Sequence, residues 1–323
     1  MKIVFQHSGI LPVKKYGGIE RILFWHMKEL ASRGHEVILF GNPKSEVAEF
    51  GIELIPTPAD FADFPGLIPK DADIVHLTYN YIPDCKVPTL VNMQCNGQIG
   101  EKFPINSVFV SKKHAENHGS DCYIYNALDF SEYPYIPRPQ KSFENFLFLA
   151  KGSWSVKNLK HCIKVCKKAK KHLNIAGGKS YWPSKYIHSH GMVGGDKKIE
   201  IMKESDAFLF PVRWHEPFGI AIIEAMALGM PVFGSPYGSL PELINEKVGK
   251  ICHNKAELFS EVAKAENSYD RDEIRKYVEE NFCISKLTDE YLKLYEKIIA
   301  GETLNKTEPT WQLDHPPEEL LPY

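Results

Sequence analysis

Short apolar runs alternate with amphipathic stretches along the first half of the chain. Lys2–Phe5 is a run of the length of a buried strand. From Ile19 to Ser32 apolar residues recur at helical spacing, until Gly34 stops the pattern. Glu36–Phe40, Ile74–Leu77, Thr89–Met93, Val108–Val110 and Tyr123–Tyr125 predict further strands. The rhythm restarts at Phe146–Leu149, with a helix over Lys157–Lys171 and a strand at His172–Ala176. Strands at Ala207–Phe210, Met230–Phe233 and Val248–Cys252 follow, with an apolar helix starting near Gly219. Helical patterns fill Ala256–Lys264, Asp270–Asn281 and Ser285–Ile299. This alternation predicts two α/β halves, each a doubly wound parallel sheet. Pro134, Pro137 and Pro139 and a loss of periodicity put the boundary within Asp129–Phe143. The expected division is 1–140, 141–284, and 285–323 as a last helix plus tail. The tail from Gly301 is rich in Pro, Thr and Glu, and either docks as an extended segment or stays mobile.

Composition narrows the class. With 323 residues, either half can bury its own core. An apolar fraction of 43% and a charged fraction of 25% are those of a soluble globular protein. The net charge of −2 disfavours nucleic acid as a partner. Seven scattered cysteines with no C-x-x-C pair argue against a disulfide framework and for a reducing compartment. No run reaches the length of a membrane span, and the opening apolar run is too short for a signal peptide. The expected location is the cytoplasm, with peripheral contact at a membrane surface the one membrane role left open. Lys157, Lys160, Lys164, Lys168 and Lys171 form a basic stripe, which is either a solvated helix face or a surface for an anionic acceptor or membrane.

Ligands of open α/β sheets sit at the carboxyl ends of strands, so the chemistry belongs in the loops that follow them. The densest such segment runs from Phe210 to Gly229. A polar loop, Arg213-Trp214-His215-Glu216-Pro217-Phe218-Gly219, leads into a helix that is apolar almost all round, the pattern of a buried helix. Glu224 is the only charge in it and needs a hydrogen-bond donor from protein or ligand. First-turn N–H groups near Gly219 suit sugar hydroxyls or phosphate oxygens, and Glu216 stands beside them as an acceptor. A plain alternative stays open: Glu216 an exposed loop acid, and Glu224 paired with a nearby Lys or Arg. Gly17-Gly18 after the first strand offers a second anion-binding helix start, or simply a tight turn.

Glu216-Pro217-Phe218-Gly219 through Glu224-Ala225-Met226-Ala227-Leu228-Gly229-Met230-Pro231-Val232 resembles the Glu-x(7)-Glu signature of retaining glycosyltransferases of family 4. Tyr237-Gly238-Ser239-Leu240-Pro241-Glu242 resembles the family's Gly-x-x-Pro-Glu segment, and Gly17-Gly18-Ile19-Glu20-Arg21 its Gly-Gly-x-Glu-Arg. The resemblance implies a GT-B fold, two Rossmann-like domains facing a cleft, with the last helix crossing back to the first domain. It implies transfer of a sugar from a nucleotide-sugar to an acceptor bound by the first half, with retention and without metal or other cofactor. By the same resemblance Glu216 contacts the donor sugar, and the Pro217-Phe218-Gly219 backbone holds its hydroxyls. Glu224 binds the ribose, Lys157 and Lys151 neutralise the diphosphate with Arg213 as a further cation, and Gly17 and Gly18 admit the phosphates. Two positions depart from the family. Ala150-Lys151 replaces Gly-Arg, and Asn96 stands before Gly97 where a histidine is usual, so Asn96 takes the third catalytic place beside Glu216 and Lys157. A non-catalytic sugar-nucleotide or glycan-binding module, or an epimerase or phosphorylase of the same architecture, are the competing readings.

Overall fold

Apolar runs become strands, and the loops between them decide which neighbours they take. The computed structural model describes residues 1–14, 17–137, 139, 142–180, 184–264 and 266–323. They form two compact units: Met1–Val13, Gly17–Ala127 and Ile284–His315 in the first, Leu128–Cys283, Pro316–Tyr323 and Lys14 in the second. The chain thus changes unit between Ala127 and Leu128, while the expected boundary at 140/141 falls outside the described residues.

The first unit holds strands β1 (Lys2–His7), β2 (Glu36–Gly41), β3 (Ile52–Pro56), β4 (Ile74–Leu77), β5 (Thr89–Met93) and β6 (Ser107–Phe109). Helix α1 (Gly18–Ser32) follows β1, α2 (Phe64–Leu67) follows β3 and α3 (Lys112–Glu116) follows β6. The strands form one six-stranded parallel sheet in the order β3-β2-β1-β4-β5-β6. Tyr123–Tyr125, expected as a strand, makes only an isolated bridge from Tyr123 to Phe109, because it runs along the sheet's edge beside the short β6.

The second unit repeats the plan. Its strands are β7 (Asn145–Leu149), β8 (His172–Ala176), β9 (Ile187–Gly191), β10 (Ala207–Phe210), β11 (Val232–Gly234) and β12 (Gly249–Ile251), in the parallel order β12-β11-β10-β7-β8-β9. Its helices are α4 (Leu159–Ala169), α5 (Gly195–Lys203), α6 (Ile220–Ala227), α7 (Leu240–Leu243), α8 (Lys255–Ala263) and α9 (Arg271–Asn281). Numbered within its own unit, each sheet reads 3-2-1-4-5-6, the dinucleotide-binding order, whose direction reverses beside the first strand. In the second unit that switch point lies between β7 and β10.

The last helix, α10 (Ile284–Ile299), belongs to the first unit. It buries Leu287, Thr288, Tyr291, Tyr295 and Ile298, one face at helical spacing. The contact with α1 and β4 is polar. His26 bonds Thr288 Oγ1 through Nδ1 at 3.0 Å and Tyr295 Oη through Nε2 at 3.0 Å, and His76 Nδ1 meets the same Oη at 2.6 Å. His76 is thus a buried structural histidine. The chain beyond α10 docks as an extended segment: Asn305 donates to the carbonyls of Ile105 and Ser107, each at 2.8 Å, and Thr310 N donates to His118 O at 3.0 Å.

Burial pushes the His76 imidazole down to about 3, and holds those of His26 and His114 well below the usual histidine range. The folded first unit therefore keeps these rings neutral where the unfolded chain, with an ordinary histidine, takes up protons. Stability is full above about pH 6.5 and falls as pH drops below it, by about 1.4 kcal/mol per pH unit for each such ring. Urea unfolding of the first unit is expected to shift to a clearly lower midpoint between pH 7.5 and pH 5; an unchanged midpoint would show that the three rings are not held neutral.

Candidate active site

The second unit's switch point gathers most of the residues singled out in the sequence. The β7 loop carries Lys151 and Lys157, and the β10 loop carries Arg213 to Gly219. Two contacts tie these loops together: Asn158 Nδ2 donates to Pro211 O at 2.8 Å, and Arg213 N donates to Val156 O at 2.7 Å. Lys157 lies not in α4, as expected, but in a single 3-10 turn before it. Asn158 takes a left-handed conformation, φ 59°, that separates this turn from the helix. The kink removes Lys157 from the basic stripe and buries it, leaving Lys160, Lys164 and Lys168 exposed.

Glu216 is buried, with 7% of its surface exposed. One of its oxygens, Oε2, accepts from Lys157 Nζ at 2.6 Å and from Trp214 Nε1 at 2.6 Å. The Lys157 ammonium also lies 4.7 Å from the Trp214 ring centroid, 5.3 Å from that of Phe210 and 5.7 Å from that of Trp154. Aromatic faces attract a cation electrostatically and so help to offset its desolvation. Lys151 is exposed on the same loop, and its ammonium lies 5.8 Å from the Trp154 centroid. Both lysines therefore converge on one indole.

The backbone around Glu216 is fixed by the loop after β11. Ser239 N donates to Glu216 O at 3.0 Å, and Ser239 Oγ to Phe218 O at 2.6 Å. Gly238 takes φ 62°, and a Cβ there would fall 2.3 Å from both Glu216 N and Glu216 O, so only glycine lets the two loops approach this closely. Pro217 and Phe218 are buried, and Gly219, at φ 86°, turns the chain into α6. The first-turn N–H groups of α6 are thus presented beside Glu216.

Glu224, one turn into α6, is also buried at 7% exposure. Its Oε1 accepts from Lys198 Nζ at 2.6 Å and from Tyr133 Oη at 2.5 Å. The plain alternative for Glu224, a lysine partner, is therefore realised, while that for Glu216, an exposed loop acid, is not. Lys198 is not among the residues that the motifs mark. The signal was available: on α5 it shares a face with Ile201 and Met202, three and four residues on, so a lysine occupies an apolar helical position.

The remaining predicted residues lie elsewhere. Arg213 donates from Nε to Leu321 O at 2.6 Å, so this cation is engaged with backbone. Gly17, Gly18 and Asn96 belong to the first unit. Gly17 precedes α1, with the Glu20 carboxylate folded over it. Asn96 is half-buried after β5, in a loop held by His114 Nε2 at Cys95 O, 3.2 Å, and by Gly97 N donating to His118 Nε2 at 2.9 Å. In the same unit Ser111 caps α3, and Asn126 donates to Gln94 Oε1 at 2.9 Å. Among the described residues no group of three or more His, Cys, Asp or Glu could hold a metal ion, and no helix is long and apolar enough to cross a membrane.

Residues 136–281, which contain both carboxylates together with Lys157, Trp214 and Lys198, match the family model for glycosyl transferases group 1. This stretch is similar to glycosyl transferases group 1. A probable sucrose-phosphate synthase of Thermosipho melanesiensis is 36% identical to the chain over 97 residues, which is 28% of this chain and 23% of that protein. The chain spans less than a third of the length of the first curated relatives it matches. Solved glycosyltransferase structures share the fold over nearly the whole chain. AviGT4, a glycosyltransferase involved in avilamycin A biosynthesis, superposes with a TM-score of 0.77 at 19% identity, covering 94% of this chain and 99% of that one. Anabaena Alr3699/HepE, in complex with UDP-glucose, gives 0.65 at 15% identity, covering 93% and 100%. The two Rossmann-like sheets of this chain thus share the GT-B fold of these structures.

Proposed function

We propose that this chain is a glycosyltransferase that takes a sugar from a nucleotide-sugar donor and passes it to an acceptor with retention. The observation that carries the reading is Glu216. It is a buried carboxylate at the switch point of the second sheet, beside the start of α6 and in contact with a caged lysine. Burying such a pair is costly, and its persistence in a loop fits a polar ligand better than a packing role. The Anabaena relative's complex with UDP-glucose supports a nucleotide-sugar as that ligand.

In this reading Glu216 accepts hydrogen bonds from the donor sugar's hydroxyls, each worth about 1.5–3 kcal/mol. The backbone N–H groups at the start of α6 hold further hydroxyls. Lys157 and Lys151 face the diphosphate, and a cation aimed at charge that develops on the leaving group lowers the barrier. Glu224, held by Lys198 and Tyr133, receives the ribose. The leaving phosphate takes the acceptor's proton on the face it departs from, which gives retention without a protein nucleophile.

A thermal-shift panel of nucleoside diphosphates and their sugars tests the donor class. A ligand at a hundred times its Kd stabilises the folded state by about 2.7 kcal/mol, readily seen as a raised midpoint. At least one nucleoside diphosphate sugar is expected to raise it and to be turned over when mixed acceptors are added. No shift with any of them would overturn the reading.

A further inference from the structure

The segment 316–323 belongs to the second unit, although the residues just before it belong to the first. Its contacts are specific. Leu321 N donates to Arg213 O at 2.9 Å, and Arg213 Nε returns a bond to Leu321 O at 2.6 Å. The next carbonyl, that of Pro322, accepts from the Tyr237 hydroxyl. Tyr323 then lies against the second unit's apolar core, its ring 5.9 Å from that of His161 and stacked on it at 29°.

The residues it grips lie on two loops. Arg213 opens the β10 loop that carries Glu216, and Tyr237 lies in the β11 loop whose Gly238 and Ser239 fix the Glu216 and Phe218 backbone. Arg213 also donates its N–H to Val156, the neighbour of Lys157. Hydrogen bonds thus link Leu321 through Arg213 to the turn that holds Lys157, and Pro322 to Tyr237, two residues before the Ser239 that bonds Glu216 O.

We infer that Leu321, Pro322 and Tyr323 are positioning residues for the donor site, a clamp that holds the β10 and β11 loops at their outer ends with Tyr323 as its anchor. The inference rests on the donor reading of Glu216 and Lys157. Among the described residues no hydrogen bond joins the three to the Glu216 or Lys157 side chain; they act by limiting the excursions of the loops that carry them. Loops position ligands only as well as they are themselves held, and slack in a support costs affinity before it costs fold.

Two variants of the whole chain test this. Leu321→Pro deletes the N–H that Arg213 O accepts, and Tyr323→Ala removes the anchor. Binding of UDP-glucose, ADP-glucose and GDP-mannose is measured by calorimetry, with hydrogen exchange followed at 213–219 and 235–239. Each variant is expected to exchange about tenfold faster in both loops and to raise the Kd and KM of the accepted donor about tenfold, with kcat within about twofold. Tyr323→Phe is expected to restore wild-type values, because the Tyr323 hydroxyl is buried with no hydrogen-bond partner among the described residues. Variants that bind the donor as wild type does, whether or not the loops exchange faster, would overturn the clamp. A wild-type chain that binds none of the three donors would refute the donor reading, and the clamp's role with it.

Discussion

A Glu216→Gln enzyme is expected to fall about a hundredfold or more in kcat/KM for the accepted donor while remaining folded. The substitution keeps the shape and leaves an oxygen for Trp214 Nε1 and Lys157 Nζ, both of which meet Glu216 at 2.6 Å. What it removes is charge. Two hydroxyl contacts to a carboxylate, at about 1.5–3 kcal/mol each, lose most of their charge-assisted part, and about 2.7 kcal/mol is already a hundredfold in rate. Both changes leave Lys157 buried without its anion, and Glu216→Ala is the cruder because it also removes the oxygen to which Lys157 Nζ and Trp214 Nε1 donate, at a cost of about 3–5 kcal/mol in stability. Steady-state kinetics on wild type and Glu216→Gln, with matched thermal melts, separates the two effects. A kcat/KM within about threefold of wild type would remove Glu216 from the site.

The second large effect is on stability. Lys198 and Glu224 are both nearly sealed, at 8% and 9% side-chain exposure, with 2.6 Å between their charged atoms. Lys198→Met leaves Glu224 with the Tyr133 hydroxyl but without its cation, and about 3–5 kcal/mol is expected to be lost. Because the penalty comes from the stranded charge, Lys198→Met/Glu224→Leu should recover at least about half of it. The double variant is not expected to recover donor binding, since the carboxylate assigned to the ribose is gone. Urea unfolding gives the first comparison and calorimetry the second. A single variant as stable as wild type would mean that the pair is not sealed from water.

The fold was legible where burial is two-sided. The strands of both sheets that lie under helices, such as β1, β4, β7 and β10, read as plain apolar runs because parallel sheets bury both faces. The edges did not. Ile187–Gly191 is Ile-His-Ser-His-Gly, half-exposed at the end of its sheet, and nothing in its pattern marks a strand. Ile52–Pro56 is another edge strand and ends in a proline. The site was legible where the motif is local: Glu216 to Glu224 lies on one loop and the helix after it. Their partners were harder. Lys157 looked helical because the sequence does not announce the left-handed turn at Asn158, and Lys198 and Tyr133 reach Glu224 from 26 and 91 residues away. Arg213 reads as a free cation in the sequence, whereas its guanidinium donates to a backbone carbonyl that no local pattern reveals.

The first unit is assembled from distant parts of the chain, and this sets an order of events during synthesis. Residues 128–283 of the second unit emerge as one continuous piece, whereas α10 and the segment to His315, which complete the first unit, emerge after them. Until then His26 and His76 lack Thr288 and Tyr295, and the face of α1 that α10 covers stays open to water. At about 5–20 residues per second the ribosome needs roughly 8–30 s to cross the intervening second unit. The first unit is therefore completed only after nearly all of the second has been made, and for that interval the nascent chain carries an apolar helix face whose cover is still to come.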